Sequence, residues 1–353
     1  MSAHDAPGPR APDATGTGPL AAVDCGTNST RLLVVDDAGR QLVRLMRITR
    51  LGEGVDASGV LDPAAIARTV VVLEEYRKVL EDHGVRAVRV AATSAVRDAS
   101  NGRELLDAAT RAIGAPAELL SGEEEGRLAF AGATSDLSCD ECKEEVCVVV
   151  DIGGGSTELI AGACSSTEPP TSGVGAPGVV SLGIGCVRLT ERFFHHDPPL
   201  ADEQAACARF VDGEIDRATR VLPALVPALA GDPCAGDQHP ERPGRTLIGL
   251  AGTVSTLSML DQGLADYDWG RVHHSRLEID AVERWCEVLA AEPAQARARR
   301  PGMAAGREDV IVAGAFVLRG VMRRLGYSSC LVSETDILDG LAASLRLGAS
   351  SAG

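Results

Sequence analysis

The sequence predicts an α/β protein of two similar lobes, and three observations predict it. Each half of the chain opens with an apolar strand that ends in an aspartate. VDCGTNS at Asp24 and VVVDIGGGS at Asp151 share the pattern D-x-G-x-x-S, and a return strand follows each. Helical periodicities and short apolar runs make up the rest, as in sheets covered by helices. The length, 353 residues, also exceeds the ~250 residues that one hydrophobic core commonly serves. A duplication on this scale suggests lobes that face each other, with both turns lining the cleft between them.

Residues 1–19 read as a disordered leader rich in Pro, Gly and Ala, without the charged-then-apolar layout of a signal peptide. The N-terminal lobe is expected over 20–138, the C-terminal lobe over 139–348, and a tail over 349–353. After the first hairpin, whose return strand is Leu32–Val35, Asp62 and Pro63 start a helix with a capping acceptor and a first-turn proline. Ile66, Val70, Leu73 and Leu80 then fall close to one helical face. Val85–Ala91 reads as a strand leading into TSAVRDASNG. Asp202–Leu225, Leu277–Ala290 and Glu308–Leu325 read as helices. Ser165–Gly178 and Gly231–Arg245 read as polar loops. The lobe boundary is expected near Ser135–Glu145, where charge and cysteine replace the apolar pattern.

Composition excludes several function classes. Aromatic residues make up 3% of the chain, too few for base-stacking platforms. The formal net charge of −16 argues against nucleic acid or an anionic membrane held by a general basic surface. Lys78 and Lys143 are the only lysines, so there is no Gly-Lys-[Ser/Thr] phosphate loop. No stretch approaches the ~20 apolar residues that span a bilayer. With no export signal, the chain is expected in the cytoplasm and its ten cysteines as reduced thiols. Cys139, Cys142 and Cys147 form the one cluster, and it lacks the second pair or histidine of a zinc finger.

Successive N–H groups of a glycine turn form a concave nest for anions, and phosphate is its usual occupant. Ser156 and Thr157 add hydroxyls. A carboxylate at the strand end, Asp151, makes sense beside phosphate if it holds a hard cation, and Glu158 could complete the oxygen shell. The bland alternative is a hairpin that merely turns; the matching turn at Asp24 speaks against it. Thr93, Ser94 and Arg97 follow a strand within reach of a phosphate at a helix start. Glu123, Glu124 and Glu125 in LLSGEEEGRLAF read either as a solvated helix N-terminus or as the source of a general base. SLGIGCVRLTERF sets Gly183, Gly185 and Arg188 in another small-residue turn, and IGLAGTVSTL ends a strand in Ala-Gly-Thr. Adjacent His273 and His274, read as lying on a strand, point to opposite faces and are not expected to share a metal.

These segments together carry a resemblance. VDCGTNSTRLL, ATSAVRDASN, SGEEEGRLAF, VVDIGGGSTELI, GIGCVRLTERF, GLAGTVSTL and VSETDILDGL stand in the order of the exopolyphosphatase and guanosine-pentaphosphate phosphohydrolase (Ppx/GppA) family. About Ala21 to Leu347 resembles its short two-domain form. The resemblance implies two ribonuclease H-like lobes of the acetate and sugar kinase, Hsp70 and actin superfamily, with an interlobe cleft. It implies a first phosphate loop of Asp24, Gly26, Thr27, Asn28 and Ser29, with Arg31 neutralising phosphate. Thr93, Ser94 and Arg97 would grip the chain end. Gly153, Gly154, Gly155, Ser156 and Thr157 would hold phosphate oxygens, Asp151 and Glu158 would position Mg²⁺ (Mn²⁺ as the alternative), and Glu125 would be the catalytic base. Cys186, in the family's Gly-Cys-Val turn, would be a small packing residue and not a nucleophile. The implied activity is hydrolysis of a terminal phosphoanhydride in polyphosphate or guanosine pentaphosphate, by a cytoplasmic homodimer. The rival readings are a nucleoside di- or triphosphate hydrolase, a kinase or ATPase of the same superfamily, and a guanosine penta- or tetraphosphate sensor with little hydrolysis.

Overall fold

The computed structural model describes residues 17–138, 141, 146–163, 177–226 and 245–350. The expected loops at 165–178 and 231–245 fall almost wholly outside the described residues, as do most of the leader and the tail. The chain divides into two compact units, Met1–Ser121 with Leu338–Gly353, and Gly122–Ile337.

The sheet of the first unit comprises β1 (Leu20–Cys25), β2 (Ser29–Val35), β3 (Gln41–Ile48), β4 (Ala87–Ala92) and β5 (Ala117–Leu119), in the order β3-β2-β1-β4-β5. Strands β1, β2 and β3 run antiparallel to one another in turn, while β4 is parallel to β1 and β5 to β4. The second unit repeats the plan. Its strands are β6 (Val146–Ile152), β7 (Thr157–Ala163), β8 (Gly178–Leu182), β9 (Arg245–Leu250), β10 (Arg276–Glu278) and β11 (Ser329–Val332), in the order β10-β11-β9-β6-β7-β8. Here β6 and β7 are the hairpin, β8 is the third antiparallel strand, β9 and β11 are the parallel pair, and β10 is an added antiparallel edge. This is ribonuclease H-like strand order, present twice. The central strands are buried along almost their whole length, which is why they read as unbroken apolar runs.

The division of the chain differs from the expected 138/139 boundary at both ends of the second unit. Helix Gly122–Thr134 belongs with the second unit because it packs on β7 and β8. A Cβ on Gly126 would lie 2.5 Å from Val179 Cγ1, so only glycine admits that approach. The last helix, Ile337–Ser350, returns from Leu338 onward to the first unit. There Asp339 pairs with Arg44 of β3, and Ser344 Oγ accepts from Arg89 of β4 at 2.9 Å.

The helix after Asp62 spans Pro63–Asp82, and the Asp62 carboxylate accepts the Ala64 N–H at 3.0 Å. Its buried stripe is Ala65, Thr69, Leu73, Tyr76 and Leu80, so Ile66 and Val70 lie on its flank. Polar residues enter the stripe because each is satisfied: Thr69 donates to the Ala65 carbonyl at 2.9 Å and Tyr76 to that of Thr30 at 2.9 Å. The expected strand Val85–Ala91 is Ala87–Ala92. The expected helix Leu277–Ala290 begins at Ile279, because Arg276–Glu278 pairs with β11 instead. Asp202–Leu225 is a helix over Ala201–Val221 and then a 3₁₀ turn at Pro223–Leu225, since proline has no N–H to continue the ladder. Glu308–Leu325 starts later, at Ile311.

Cys147 is disulfide-bonded, which corrects the expectation of reduced thiols at that position; Cys139 and Cys142 lie outside the described residues. Cys25, Cys186, Cys207, Cys286 and Cys330 are free and buried. Among the described residues no helix is long and apolar enough to cross a membrane.

Candidate active site

The two D-x-G-x-x-S hairpins close in the same way. The Gly26 N–H donates to the Ser29 carbonyl at 3.0 Å, and the Gly153 N–H to the Ser156 carbonyl at 3.0 Å. A Cβ on either glycine would stand 3.0 Å from the same acceptor oxygen, which accounts for glycine at both positions. The register also matches, since the aspartate pairs with the residue seven positions on: Asp24 with Arg31, Asp151 with Glu158.

In the first unit Asp24 is buried, and the Arg31 guanidinium grips its Oδ2 with Nε at 3.0 Å and Nη2 at 2.7 Å. The pair presents a charge-balanced unit rather than a lone cation. Thr27 and Ser94 are brought together from distant segments, their hydroxyls 3.0 Å apart and buried. Thr93 is buried beside them in sequence. Arg97 donates to the Leu120 carbonyl at 3.0 Å, so part of its fork holds the end of β5.

The carbonyls of the first turn are engaged by a loop that the sequence reading did not single out. Thr49 and Arg50 N–H groups donate to the Asn28 carbonyl at 3.0 and 2.9 Å, and Gly52 N–H donates to that of Thr27 at 2.8 Å. Gly52 is required there, since a Cβ would meet Thr27 Cγ2 at 2.3 Å. The Asn28 side chain is 7% exposed and its Nδ2 is buried with no hydrogen-bond partner. A buried donor of that kind suits an anionic oxygen.

The second turn is pinned from behind. Helix Cys186–Phe193 aims its first N–H groups at the glycine loop: Cys186 to the Gly153 carbonyl at 2.9 Å, Val187 and Arg188 to that of Gly154 at 2.9 and 3.1 Å. Gly185 lies so close that a Cβ would fall 2.2 Å from the Gly154 carbonyl oxygen. With its carbonyls so held, no backbone acceptor among the described residues takes the N–H groups of Gly154, Gly155 or Ser156, as an anion nest requires. The Thr157 hydroxyl, expected on phosphate, donates to the Ile184 carbonyl at 3.0 Å; it braces the loop. Cys186 is buried, and burial raises its thiol above the ordinary range, as befits a packing residue.

Asp151 and Glu158 are both buried and stand opposite each other across β6 and β7. Like charges directly opposite oppose strand pairing. Ser181 on β8 donates to Glu158 Oε1 at 2.7 Å. Two carboxylates in register beside a glycine nest form an all-oxygen donor set that fits a hard divalent ion.

Burial separates the three consecutive glutamates at the start of helix Gly122–Thr134. Glu123 is exposed and pairs with Arg127 one turn on, Glu124 is half-buried, and Glu125 is 8% exposed. Gly126 next to it lies against Ile160 and Val179, so close packing of the helix on β7 and β8 sets where Glu125 stands. Arg307 was not anticipated. Its guanidinium lies against Gly252, where a Cβ would come 1.8 Å from Cζ, and its charge reaches Cys186. The only sequence signal was the Ala-Gly-Thr expected to end a strand; it follows β9 and opens the helix Ala251–Asp261.

Two units of this fold carry the paired hairpins, and residues 33–347 match the Ppx/GppA phosphatase family: the chain belongs to that family. It is 39% identical over 343 residues to exopolyphosphatase 2 of Mycobacterium tuberculosis, a match covering 92% of this chain and 98% of that protein. Among solved structures, an exopolyphosphatase-like protein superposes with a TM-score of 0.82 at 33% identity, covering 94% of this chain and 99% of that one. The Aquifex aeolicus member of the Ppx/GppA family gives 0.71 at 29% identity, covering 94% and 98%.

Proposed function

We propose that this protein releases the terminal phosphate of inorganic polyphosphate by attack of water, with Glu125 as general base. The observation that carries the reading is the contrast between the two hairpins. They share closure and register, yet one sets an arginine opposite its aspartate and the other a glutamate. The first suits a phosphate chain; the second suits the cation that accompanies it. The 39% identity to an exopolyphosphatase over nearly the whole length supports the same substrate.

Phosphoryl transfer passes through a loose transition state, so positioning and charge neutralisation supply most of the acceleration. In the second unit the nest at Gly154–Ser156 would hold phosphate oxygens, and in the first unit the donors at Asn28, Arg31 and Arg97 would bind phosphate. Asp151 and Glu158 would hold Mg²⁺, which when bound offsets the charge that builds on the phosphate oxygens. Glu125 takes the proton as the water oxygen bonds to the terminal phosphorus. The anhydride P–O bond breaks, and the shortened chain leaves with the electron pair.

Glu125→Gln keeps the shape and removes the base, so phosphate release should fall ~10²–10⁴-fold while polyphosphate binding persists. Near-wild-type release from that variant would refute the assignment. A panel of polyphosphate, guanosine pentaphosphate and nucleoside triphosphates, each with Mg²⁺, tests the substrate. Faster release from either nucleotide class than from polyphosphate would displace it.

A further inference from the structure

The adjacent histidines do not behave as strand neighbours. His274 precedes β10, has φ +60°, and its N–H donates to the Val332 carbonyl at 2.7 Å. That left-handed residue, unusual for a non-glycine, swings both rings to one side. They stack with centroids 3.8 Å apart, and both face the carboxylate of Asp136.

Proton accounting separates the two rings. The Glu334 N–H donates to His273 Nδ1 at 3.1 Å, so the proton of neutral His273 is on Nε2, which donates to Asp136 Oδ2 at 3.1 Å. His274 Nδ1 stands 2.8 Å from Glu141 Oε1, so in the neutral ring Nδ1 carries the proton and Nε2 presents a lone pair. This Nε2 is buried with no hydrogen-bond partner, 3.7 Å from Asp136 Oδ1. A nitrogen lone pair and a carboxylate oxygen thus face each other with nothing of opposite sign between them. Two ligands each ~2.0–2.1 Å from a zinc-class ion at tetrahedral angles are ~3.4 Å apart, close to the distance found.

We infer that His274 Nε2 and Asp136 Oδ1 form a binding site for a divalent transition-metal ion of the zinc class. Imidazole nitrogen distinguishes it from an all-oxygen magnesium site. The supporting groups are in place: Glu141 accepts from the far nitrogen of the ligating ring, the arrangement that orients metal-bound histidines. His273 holds the other carboxylate oxygen of Asp136, and Thr335 donates to Oδ1 at 3.3 Å, leaving that oxygen a second lone pair. Trp269 packs on His273, with ring centroids 4.7 Å apart. Asp136 lies two residues beyond the helix that carries Glu125. An ion here would pin the end of that helix to the segment before β10. The inference does not depend on which phosphoanhydride is cleaved.

The test is Zn²⁺ titration of the full chain by calorimetry in excess Mg²⁺, with zinc K-edge X-ray absorption of the loaded protein. The expected result is one zinc equivalent with the outer-shell scattering of imidazole. It should be lost in His274→Gln and in Asp136→Asn, kept in Glu158→Gln, and weakened ~10–100-fold in Glu141→Gln, which removes only the orienting acceptor. Absence of zinc binding in the wild type overturns the inference. So does an unchanged equivalent and spectrum in a His274→Gln variant that melts like wild type, which would place any zinc on other ligands.

Discussion

At the scale of single residues, the proposed function turns on what stands seven positions after each strand-end aspartate, Arg31 in one hairpin and Glu158 in the other. Arg31 makes a two-pronged pair with Asp24, and lysine cannot reproduce a planar fork. Arg31→Lys should therefore raise KM for polyphosphate several-fold even though charge is kept; unchanged kinetics would show that the fork plays no part. Ser181 is a sharper probe of the second hairpin, because its hydroxyl donates to Glu158 Oε1. Removing a group that orients a metal ligand weakens metal binding ~10–100-fold. Ser181→Ala should raise the Mg²⁺ needed for half-maximal release by that factor, as a Mg²⁺ titration of activity would read directly. The acids and glycines of both turns were legible in the sequence, because D-x-G-x-x-S occurs twice. The hydroxyl roles were not: Thr157 and Ser156 are adjacent and chemically alike, and only the Ile184 carbonyl beside Thr157 distinguishes them.

At the scale of elements, the glycine nest is held by a helix that follows it by some thirty residues. Helix Cys186–Phe193 donates into the carbonyls of Gly153 and Gly154, and Gly185 gives it room. Gly185→Ala forces a methyl into backbone that cannot yield like a side chain. Overpacking of this kind costs ~1–3 kcal/mol, and a lowered melting temperature together with weakened polyphosphate binding would show both parts. A variant that melts and binds as wild type would mean that the helix does not set the loop. Sequence periodicity located most helices because one face of each is buried. It failed where pairing outranks periodicity: Arg276–Glu278 joins β11 and delays the next helix. Strand β3, at the sheet edge and largely half-exposed, has interspersed arginines and no clean alternation to announce it.

For the whole molecule, the charge of −16 with only two lysines bears on substrate length. At 0.15 M ionic strength the Debye length is ~8 Å, so distant carboxylates are screened and local arginines decide binding of the chain end. A net charge of −16 disfavours the basic track along which a long polyphosphate would lie. Turnover should therefore favour short chains, and the preference should sharpen as salt is lowered; equal or faster release from long chains at low salt would contradict it. The sequence by itself determined the α/β class, the duplicated hairpins and the family, because these depend on local patterns of apolar, glycine and acidic residues. Only the tertiary structure decided that the last helix rejoins the first unit, that one glutamate of three is buried, and that two neighbouring histidines meet one aspartate. Each of those depends on contacts between segments far apart in the chain, and local pattern carries no record of which distant surface a residue will meet.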